Sequence, residues 1–185
     1  MCDWDGNGSR TPGVFRNGAW FLRNTNSTGV SDISLAYGLA GDTPICGDWD
    51  GDGVETVGVV RGGKAWYLRN SNTSGVADVT FLYGEPGDVP VVGDWDGNTT
   101  DTPGVFRGGA FYLRNSTSSG NADTVFLYGL GIGDWPLVGD WNGDGVDTVG
   151  IKRGNLWYLR NSNTAGSADV VFQYGAPTDT MLVWR

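Results

Sequence analysis

Apolar and polar residues alternate in short runs along the whole chain, and clusters of Gly, Asn, Ser and Pro separate the runs. In one stretch the runs are residues 44–46, 56–60, 65–68 and 79–83. Alternation with a period of two predicts half-buried β-strands. No stretch of ten residues has the apolar spacing of an amphipathic helix, so we expect almost no α-helix.

The whole pattern occurs four times. The tetrapeptide Asp-Trp-(Asp/Asn)-Gly begins at Asp3, Asp48, Asp94 and Asp140, which are 45, 46 and 46 residues apart. Four strands in such a period match one propeller blade, and a single blade is too small to bury its own faces. The sequence therefore predicts an all-β fold, a β-propeller of four four-stranded blades. We expect one domain, residues 1–185, with repeat units at 1–42, 43–88, 89–134 and 135–179.

The two ends of the chain differ from the internal repeats. The first unit lacks its first strand, whereas residues 180–184 form a surplus strand that aligns with 89–93. We therefore predict a monomeric closed ring in which this C-terminal strand pairs into the N-terminal blade and leaves no open edge. The alternative is an open arc, two copies of which form an eight-bladed ring. Because the chain opens inside a repeat, without a signal-peptide pattern, we expect a segment of a longer protein.

The loop after the first strand of each unit carries oxygen-bearing side chains at its positions 1, 3 and 5. Three of the four loops have Gly at position 6 for a sharp turn, and the carbonyl group of position 7 adds an oxygen, as a hard cation requires. Because the chain has no His and neither Cys lies in a loop, Ca²⁺ fits better than a transition metal. Position 9 is always Thr, which either touches the site or simply begins the next strand. The predicted sites, for up to four Ca²⁺, are Asp3, Asp5, Asn7, Ser9 and Thr11; Asp48, Asp50, Asp52, Val54 and Thr56; Asp94, Asp96, Asn98, Thr100 and Thr102; and Asp140, Asn142, Asp144, Val146 and Thr148.

Asp-Gly and Asn-Gly are also ordinary hairpin turns, so one such loop alone would not indicate a metal. Four loops in phase do, because carboxylates packed in one turn repel one another unless a cation neutralises them. We expect the loop at Asp48 to bind most strongly, and the loop at Asp94 most weakly because Thr99 replaces the glycine. Position 8 is not an obligatory carboxylate ligand, since it is Arg10 in the first loop.

The chain has 21 acidic and 12 basic residues, a net charge of −9. That balance argues against nucleic acid and against an anionic membrane surface as partners, and no apolar run is long enough to span a bilayer. Four Ca²⁺ would offset almost all of the negative charge. The two cysteines, Cys2 and Cys46, do not make a disulfide framework, and two free thiols are favoured over a bridge.

The Asp-x-(Asp/Asn)-x-(Asp/Asn)-Gly loops at blade period resemble the FG-GAP and VCBS repeats, which are related to the integrin α-subunit propeller. The resemblance covers the whole chain and implies an extracellular or cell-surface propeller with Ca²⁺ in hairpins on one face. Loops of that family commonly have a carboxylate at position 9, where this chain has Thr. The loops are not EF-hands, because position 12 of the second loop is Val59.

Other residues recur in phase and are predicted to be structural. The loop tryptophans are expected to pack between blades rather than to form sugar platforms. One aspartate set is expected to pair with both arginine sets, and a second aspartate set is expected to cap turns. The tryptophans are Trp4, Trp49, Trp95 and Trp141; the arginines are Arg16, Arg61, Arg107 and Arg153 with Arg23, Arg69, Arg114 and Arg160; the pairing aspartates are Asp32, Asp78, Asp123 and Asp169; the capping aspartates are Asp42, Asp88, Asp134 and Asp179.

Catalysis finds little support in the sequence. Without His there is no Ser-His or Cys-His pair, and a two-carboxylate glycosidase needs two acids in different environments, whereas these acids recur symmetrically. We therefore expect no enzyme but a Ca²⁺-binding extracellular recognition or scaffold module, with a protein or glycan ligand that the sequence does not identify. The alternatives are a lectin with several equivalent sites and a purely structural oligomeric building block.

Overall fold

The computed structural model of the chain describes residues 1–179. Those residues form fifteen strands and no helix, and so no helix that could cross a membrane. The strands are β1 (Gly13–Arg16), β2 (Ala19–Leu22), β3 (Ile33–Ala36), β4 (Thr43–Gly47), β5 (Thr56–Arg61), β6 (Ala65–Leu68), β7 (Val79–Leu82), β8 (Val89–Gly93), β9 (Thr102–Arg107), β10 (Ala110–Leu113), β11 (Thr124–Leu127), β12 (Asp134–Gly139), β13 (Thr148–Arg153), β14 (Leu156–Leu159) and β15 (Val170–Gln173).

The strands form four antiparallel sheets arranged in a ring, which makes the protein a four-bladed β-propeller. Blade 2 is β4–β7, blade 3 is β8–β11, and blade 4 is β12–β15, each with its strands in sequence order. Blade 1 has β1–β3, and an isolated bridge between Cys2 and Thr11 extends it toward the ring axis. The predicted closing strand, 180–184, lies outside the described residues. In blade 2 the predicted strands agree with the observed ones to within one residue at each end.

The hydrophobic core lies between blades rather than within them. Trp66 and Phe81 of blade 2 stack with ring centroids 5.7 Å apart, and Val105 of blade 3 packs against the same cluster. Blades 1 and 2 share an equivalent cluster, and so do blades 3 and 4. We call each such contact between consecutive blades a seam. Each seam buries the apolar face that one blade cannot bury alone, which confirms the reasoning from repeat length.

Three of the four loop tryptophans are buried, as predicted. Trp4, Trp49 and Trp95 are 4, 5 and 7 % exposed. Their rings lie against glycines: a β-carbon built at Gly47 would be only 2.9 Å from the ring of Trp49. The strand therefore keeps glycine at this place so that the ring can lie flat against the backbone.

The arginine–aspartate pairs correct one prediction. Arg23, Arg69 and Arg160 pair with Asp32, Asp78 and Asp169, as expected. The other arginine set pairs instead with the turn aspartates, as Arg61–Asp42 (2.8 Å), Arg107–Asp88 (2.6 Å) and Arg153–Asp134 (2.6 Å).

The strand register explains this exchange of partners. The antiparallel register places Asp134, at the start of the first strand, directly opposite Arg153, at the end of the second. The aspartates also cap their turns as predicted, since Asp42 accepts the Leu39 N–H at 2.8 Å. The Arg61 hydrogen bond lowers the pKa of Asp42.

The cysteines correct a second prediction, that of two free thiols. Cys2 and Cys46 form a disulfide, with their Cα atoms 6.6 Å apart. The two residues are 44 positions apart, close to one repeat, so they lie on the innermost segments of consecutive blades. Their place in the repeat, rather than the small number of cysteines, decides the pairing.

Candidate functional site

In blades 2, 3 and 4 an acidic loop connects the first strand to the second, and in blade 1 the equivalent loop lies between Cys2 and β1. We number them loop 1 (residues 3–11), loop 2 (48–56), loop 3 (94–102) and loop 4 (140–148). In loop 2 the carboxylate of Asp48 accepts backbone N–H groups from Gly51 (2.8 Å), Asp52 (3.1 Å) and Gly53 (2.8 Å). The loop is therefore wound around the side chain of its first residue.

The same winding occurs in the other loops. Asp94 and Asp140 each accept three backbone N–H groups from positions 4, 5 and 6, and Asp3 accepts two. The side chain at position 5 also accepts the N–H of position 7 in every loop. These pairs are Asn7–Ser9 (2.8 Å), Asp52–Val54 (2.9 Å), Asn98–Thr100 (2.8 Å) and Asp144–Val146 (2.9 Å). Positions 1 and 5 thus shape the loop through hydrogen bonds of their own.

Loop 2 has a carboxylate at each of positions 1, 3 and 5. One oxygen each of Asp48, Asp50 and Asp52 lies within 4.8 Å of the other two. A carboxylate offers about four lone-pair positions, and the backbone uses three of those of Asp48, so acceptor capacity remains. Oxygen donors of this kind fit Ca²⁺. Asp48 is 9 % exposed, while Asp50 and Asp52 are open to solvent.

The first aspartates of loops 2 and 4 have pKa values shifted in opposite directions. Burial raises the pKa of Asp48, and nearby Asp101 raises it further, against the lowering effect of the three N–H groups. In loop 4 the N–H of Gly145 is the largest cause that lowers the pKa of Asp140. Of these two first aspartates, Asp48 therefore has the less favourable environment for its negative charge.

The other loops have an amide among the three positions. Asn7 and Asn98 occupy position 5, and Asn142 occupies position 3. The amide group of Asn142 donates to Asp144 at 2.9 Å, which uses an oxygen that a cation would otherwise take. Loop 2 is therefore the richest in carboxylates, and the order of binding strength stays a prediction.

The threonines at position 9 are strand residues. Thr56, Thr102 and Thr148 begin β5, β9 and β13, and each is 4 % exposed or less. Their hydroxyl groups donate to backbone carbonyls of the preceding strand, as from Thr102 to Gly93 at 3.3 Å. Of the two alternatives for position 9, the structure places these residues in the next strand.

Position 8 has a role that the sequence did not reveal. The N–H of Asp48 donates to the carboxylate of Asp101 in the next blade at 2.8 Å, and the N–H of Asp101 donates back to the Asp48 carbonyl at 2.7 Å. The same reciprocal pair joins Asp3 to Glu55 and Asp94 to Asp147. We call this pair the inter-blade latch. The sequence feature that could have indicated this latch is the acidic residue that recurs at position 8 in three of the four loops.

The latches surround a cavity of about 280 Å³ at the loop end of the ring. Its lining includes six acidic residues and one basic residue: Asp3, Asp48, Asp94, Glu55, Asp101, Asp147 and Arg10. Arg10 forms an ion pair with Glu55 at 2.7 Å. The basic residue at position 8 of loop 1 thus offsets part of the negative charge that the other three loops bring to the axis.

Loop 3 differs from the others in its backbone. Thr99 at position 6 has φ of 71°, in the left-handed region that favours glycine, and the equivalent Gly53 has φ of 89°. Nothing lies within 4 Å of a β-carbon built at Gly53. The cost of Thr99 therefore arises from its backbone conformation and not from crowding.

Comparison with protein-family models, with curated proteins and with solved structures finds no match for this chain.

Proposed function

We propose that the protein is a non-catalytic Ca²⁺-binding β-propeller that serves as an extracellular recognition or scaffold module. The observation that carries the proposal is the convergence of the Asp48, Asp50 and Asp52 carboxylates in loop 2. Three such groups within 4.8 Å repel one another, and a bound cation relieves the repulsion. The loops at Asp3, Asp94 and Asp140 offer weaker versions of the same site.

Calcium in these loops is chiefly structural. Asp48 belongs both to the candidate site and to the latch that joins blade 2 to blade 3. A cation bound there would hold loop 2 and, through it, one end of a seam. The metal would therefore stiffen the rim of the ring and preorganise the exposed loops for a ligand.

The disulfide supports an extracellular location. Disulfides persist in oxidising compartments and are rare in reducing ones, and Cys2–Cys46 ties two blades together. The burial of Trp4, Trp49 and Trp95 removes three of the aromatic rings that a lectin with sites at the loops would use to stack on sugars.

Thermal unfolding with and without Ca²⁺ tests the proposal. If Ca²⁺ binds the folded state alone, a concentration 100 times Kd stabilises it by about 2.7 kcal/mol, which raises Tm by about 5–10 °C for a chain of this size. The scan is repeated with chelator and with Mg²⁺, whose preference for stricter octahedral geometry predicts a smaller shift. An unchanged Tm, with no calcium found by elemental analysis, would contradict the proposal.

A further inference from the structure

Three residues that differ from the repeat lie together near the ring axis. Cys2 stands where the other units have glycine, Cys46 where units 3 and 4 have valine, and Glu55 where units 3 and 4 have aspartate. All three lie at the seam between blades 1 and 2. The two sulfur atoms and one Glu55 carboxylate oxygen all lie within 4.8 Å of one another. The disulfide accounts for the two cysteines, but it does not account for the glutamate.

A cavity of about 230 Å³ along the ring axis reaches this place. Its walls come from the innermost segments of all four blades, and Cys2, Cys46 and Glu55 are among the lining residues. Cys2 is 2 % exposed and Glu55 is 5 % exposed, while Cys46 is half-buried. A water molecule needs about 10–15 Å³ of such a cavity, so there is room here for a metal ion and a water ligand.

The carboxylate of Glu55 is fixed by groups of loop 1. It accepts the N–H of Asp3 at 3.0 Å and the Nη2 group of Arg10 at 2.7 Å. Carboxylates that bind metals are themselves commonly hydrogen-bonded in this way, which orients them toward the ion. The guanidinium group of Arg10 also offsets negative charge, so that two thiolates and a carboxylate can share one divalent cation.

We propose that the reduced protein binds Zn²⁺ at this place through the thiolates of Cys2 and Cys46, the carboxylate of Glu55 and one water. Zn²⁺ takes sulfur and carboxylate ligands in tetrahedral geometry, whereas thiolates do not suit a hard cation such as Ca²⁺. Bonds of about 2.0–2.3 Å place tetrahedral ligand atoms about 3.4–3.8 Å apart. The Cα atoms of the two cysteines are 6.6 Å apart, so rotation of their side chains brings the sulfurs to that spacing.

The site opens when a dithiol reduces the disulfide by two electrons. The S–S bond breaks, each sulfur takes up one electron and one proton, and the dithiol becomes a disulfide. Zn²⁺ then displaces both protons, because the metal binds thiolates and not thiols. Blades 1 and 2 are thus linked in both states, by a covalent bond in the oxidised protein and by the metal in the reduced one. This inference concerns the reduced protein and does not depend on calcium in the loops.

Titration with Co²⁺, whose thiolate complexes are coloured, tests the site. The protein is reduced with a phosphine, its free thiols are counted, and Ca²⁺ is kept in excess so that it occupies the loops. One equivalent of Co²⁺ should give a sulfur-to-cobalt charge-transfer band in the near ultraviolet and d–d bands of tetrahedral intensity, and Zn²⁺ should abolish both. The oxidised protein should give neither. If the reduced protein has both thiols free and shows no charge-transfer band, the proposal is wrong.

Substitutions toward the other repeats provide matched variants. Cys46→Val should abolish the tetrahedral bands. Glu55→Asp keeps an acid in the latch but shortens it by one methylene, so it should keep the thiolate band and weaken Zn²⁺ affinity at least tenfold. Asp101→Glu makes the opposite change in a latch without cysteines and should leave that affinity unchanged.

Circular dichroism of each variant confirms that it is folded. Unchanged Zn²⁺ affinity in Glu55→Asp would overturn the proposal, and so would tetrahedral bands that persist in Cys46→Val. A native chain that unfolds on reduction and stays unfolded with Zn²⁺ would also overturn it, because the ligands would then not be held together by the fold.

Discussion

Loops 2 and 3 have the same pattern of internal hydrogen bonds, but they differ in their number of carboxylates and in the residue at position 6. In both, the first aspartate accepts the N–H groups of positions 4, 5 and 6, and the residue at position 5 accepts the N–H of position 7. Loop 2 has three carboxylates, with glycine at position 6. Loop 3 has two, with Thr99 in a left-handed conformation. Since both loops adopt one shape, that shape does not require the third carboxylate.

The comparison separates two tasks within one motif. Position 1 builds the loop, and its latch joins the loop to the next blade. Asp50, at position 3 of loop 2, takes no part in that scaffold: within residues 1–179 neither a hydrogen bond nor an ion pair of Asp50 is observed. Under the proposed function, Asp50 acts in binding the cation and not in building the loop.

The largest expected effect comes from removing the scaffold carboxylate of loop 2. Asp48→Ala leaves three backbone N–H groups without their acceptor, at roughly 1 kcal/mol each. In chelator, the free energy of unfolding should fall by about 2–3 kcal/mol in a urea titration. Asp50→Ala should leave the stability in chelator within about 0.5 kcal/mol of the native value, yet remove most of the Ca²⁺-dependent rise in Tm.

The matched variant in loop 3 is Asp96→Ala, which removes the equivalent carboxylate from the weaker site. It should lower the Ca²⁺-dependent rise in Tm less than Asp50→Ala does. Equal losses for the two variants would show that the loops bind alike and that carboxylate number does not set the order. A fall in stability in chelator for Asp50→Ala would show that position 3 belongs to the scaffold.

The second effect concerns position 6. Placing a residue with a β-carbon in the left-handed region costs about 1–2 kcal/mol of folding free energy. Glycine avoids that cost, but it loses more backbone entropy on folding, which offsets about 0.5–1 kcal/mol. Thr99→Gly should therefore stabilise the protein by about 0.5–1 kcal/mol, measured by urea unfolding in chelator. Gly53→Thr is the reverse change and should destabilise it by a similar amount. Two shifts of the same sign would contradict the backbone explanation.

The repeat made the fold predictable from the sequence. The contacts of residues that act on a neighbouring blade were harder to predict. Period-two alternation predicted the strand bounds, and the loop tryptophans, which recur once in every repeat, were predicted to be buried. The partner of Arg61 was predicted wrongly because two aspartate sets recur with the same period, and only the strand register chooses between them.

The residues at position 8 are a second case in which contacts between blades were not predicted from the sequence. Glu55, Asp101 and Asp147 act on the blade before their own, so their contacts cross about 50 residues of chain. Arg10 stands at the same position and made it look variable and dispensable. The disulfide was predicted wrongly because the number of cysteines was weighed above their separation, which is close to one repeat and makes Cys2 and Cys46 spatial neighbours in the predicted propeller.

The smallest expected effect comes from giving loop 3 the carboxylate that loop 2 has. Asn98→Asp keeps the acceptor for the Thr100 N–H, as Asp52 does for Val54, so the scaffold is unchanged. In chelator the added exposed charge should cost about 0.5 kcal/mol or less, while the Ca²⁺ affinity of loop 3 should rise about tenfold, since ligand charge tunes such sites. Calorimetric titration with Ca²⁺ is done on a protein that also carries Asp50→Ala. That second change weakens Ca²⁺ binding to loop 2, so that binding to loop 3 can be measured. If the affinity of that loop does not change, position 5 serves only to hold the turn, and the difference between the two loops does not lie in their number of carboxylates.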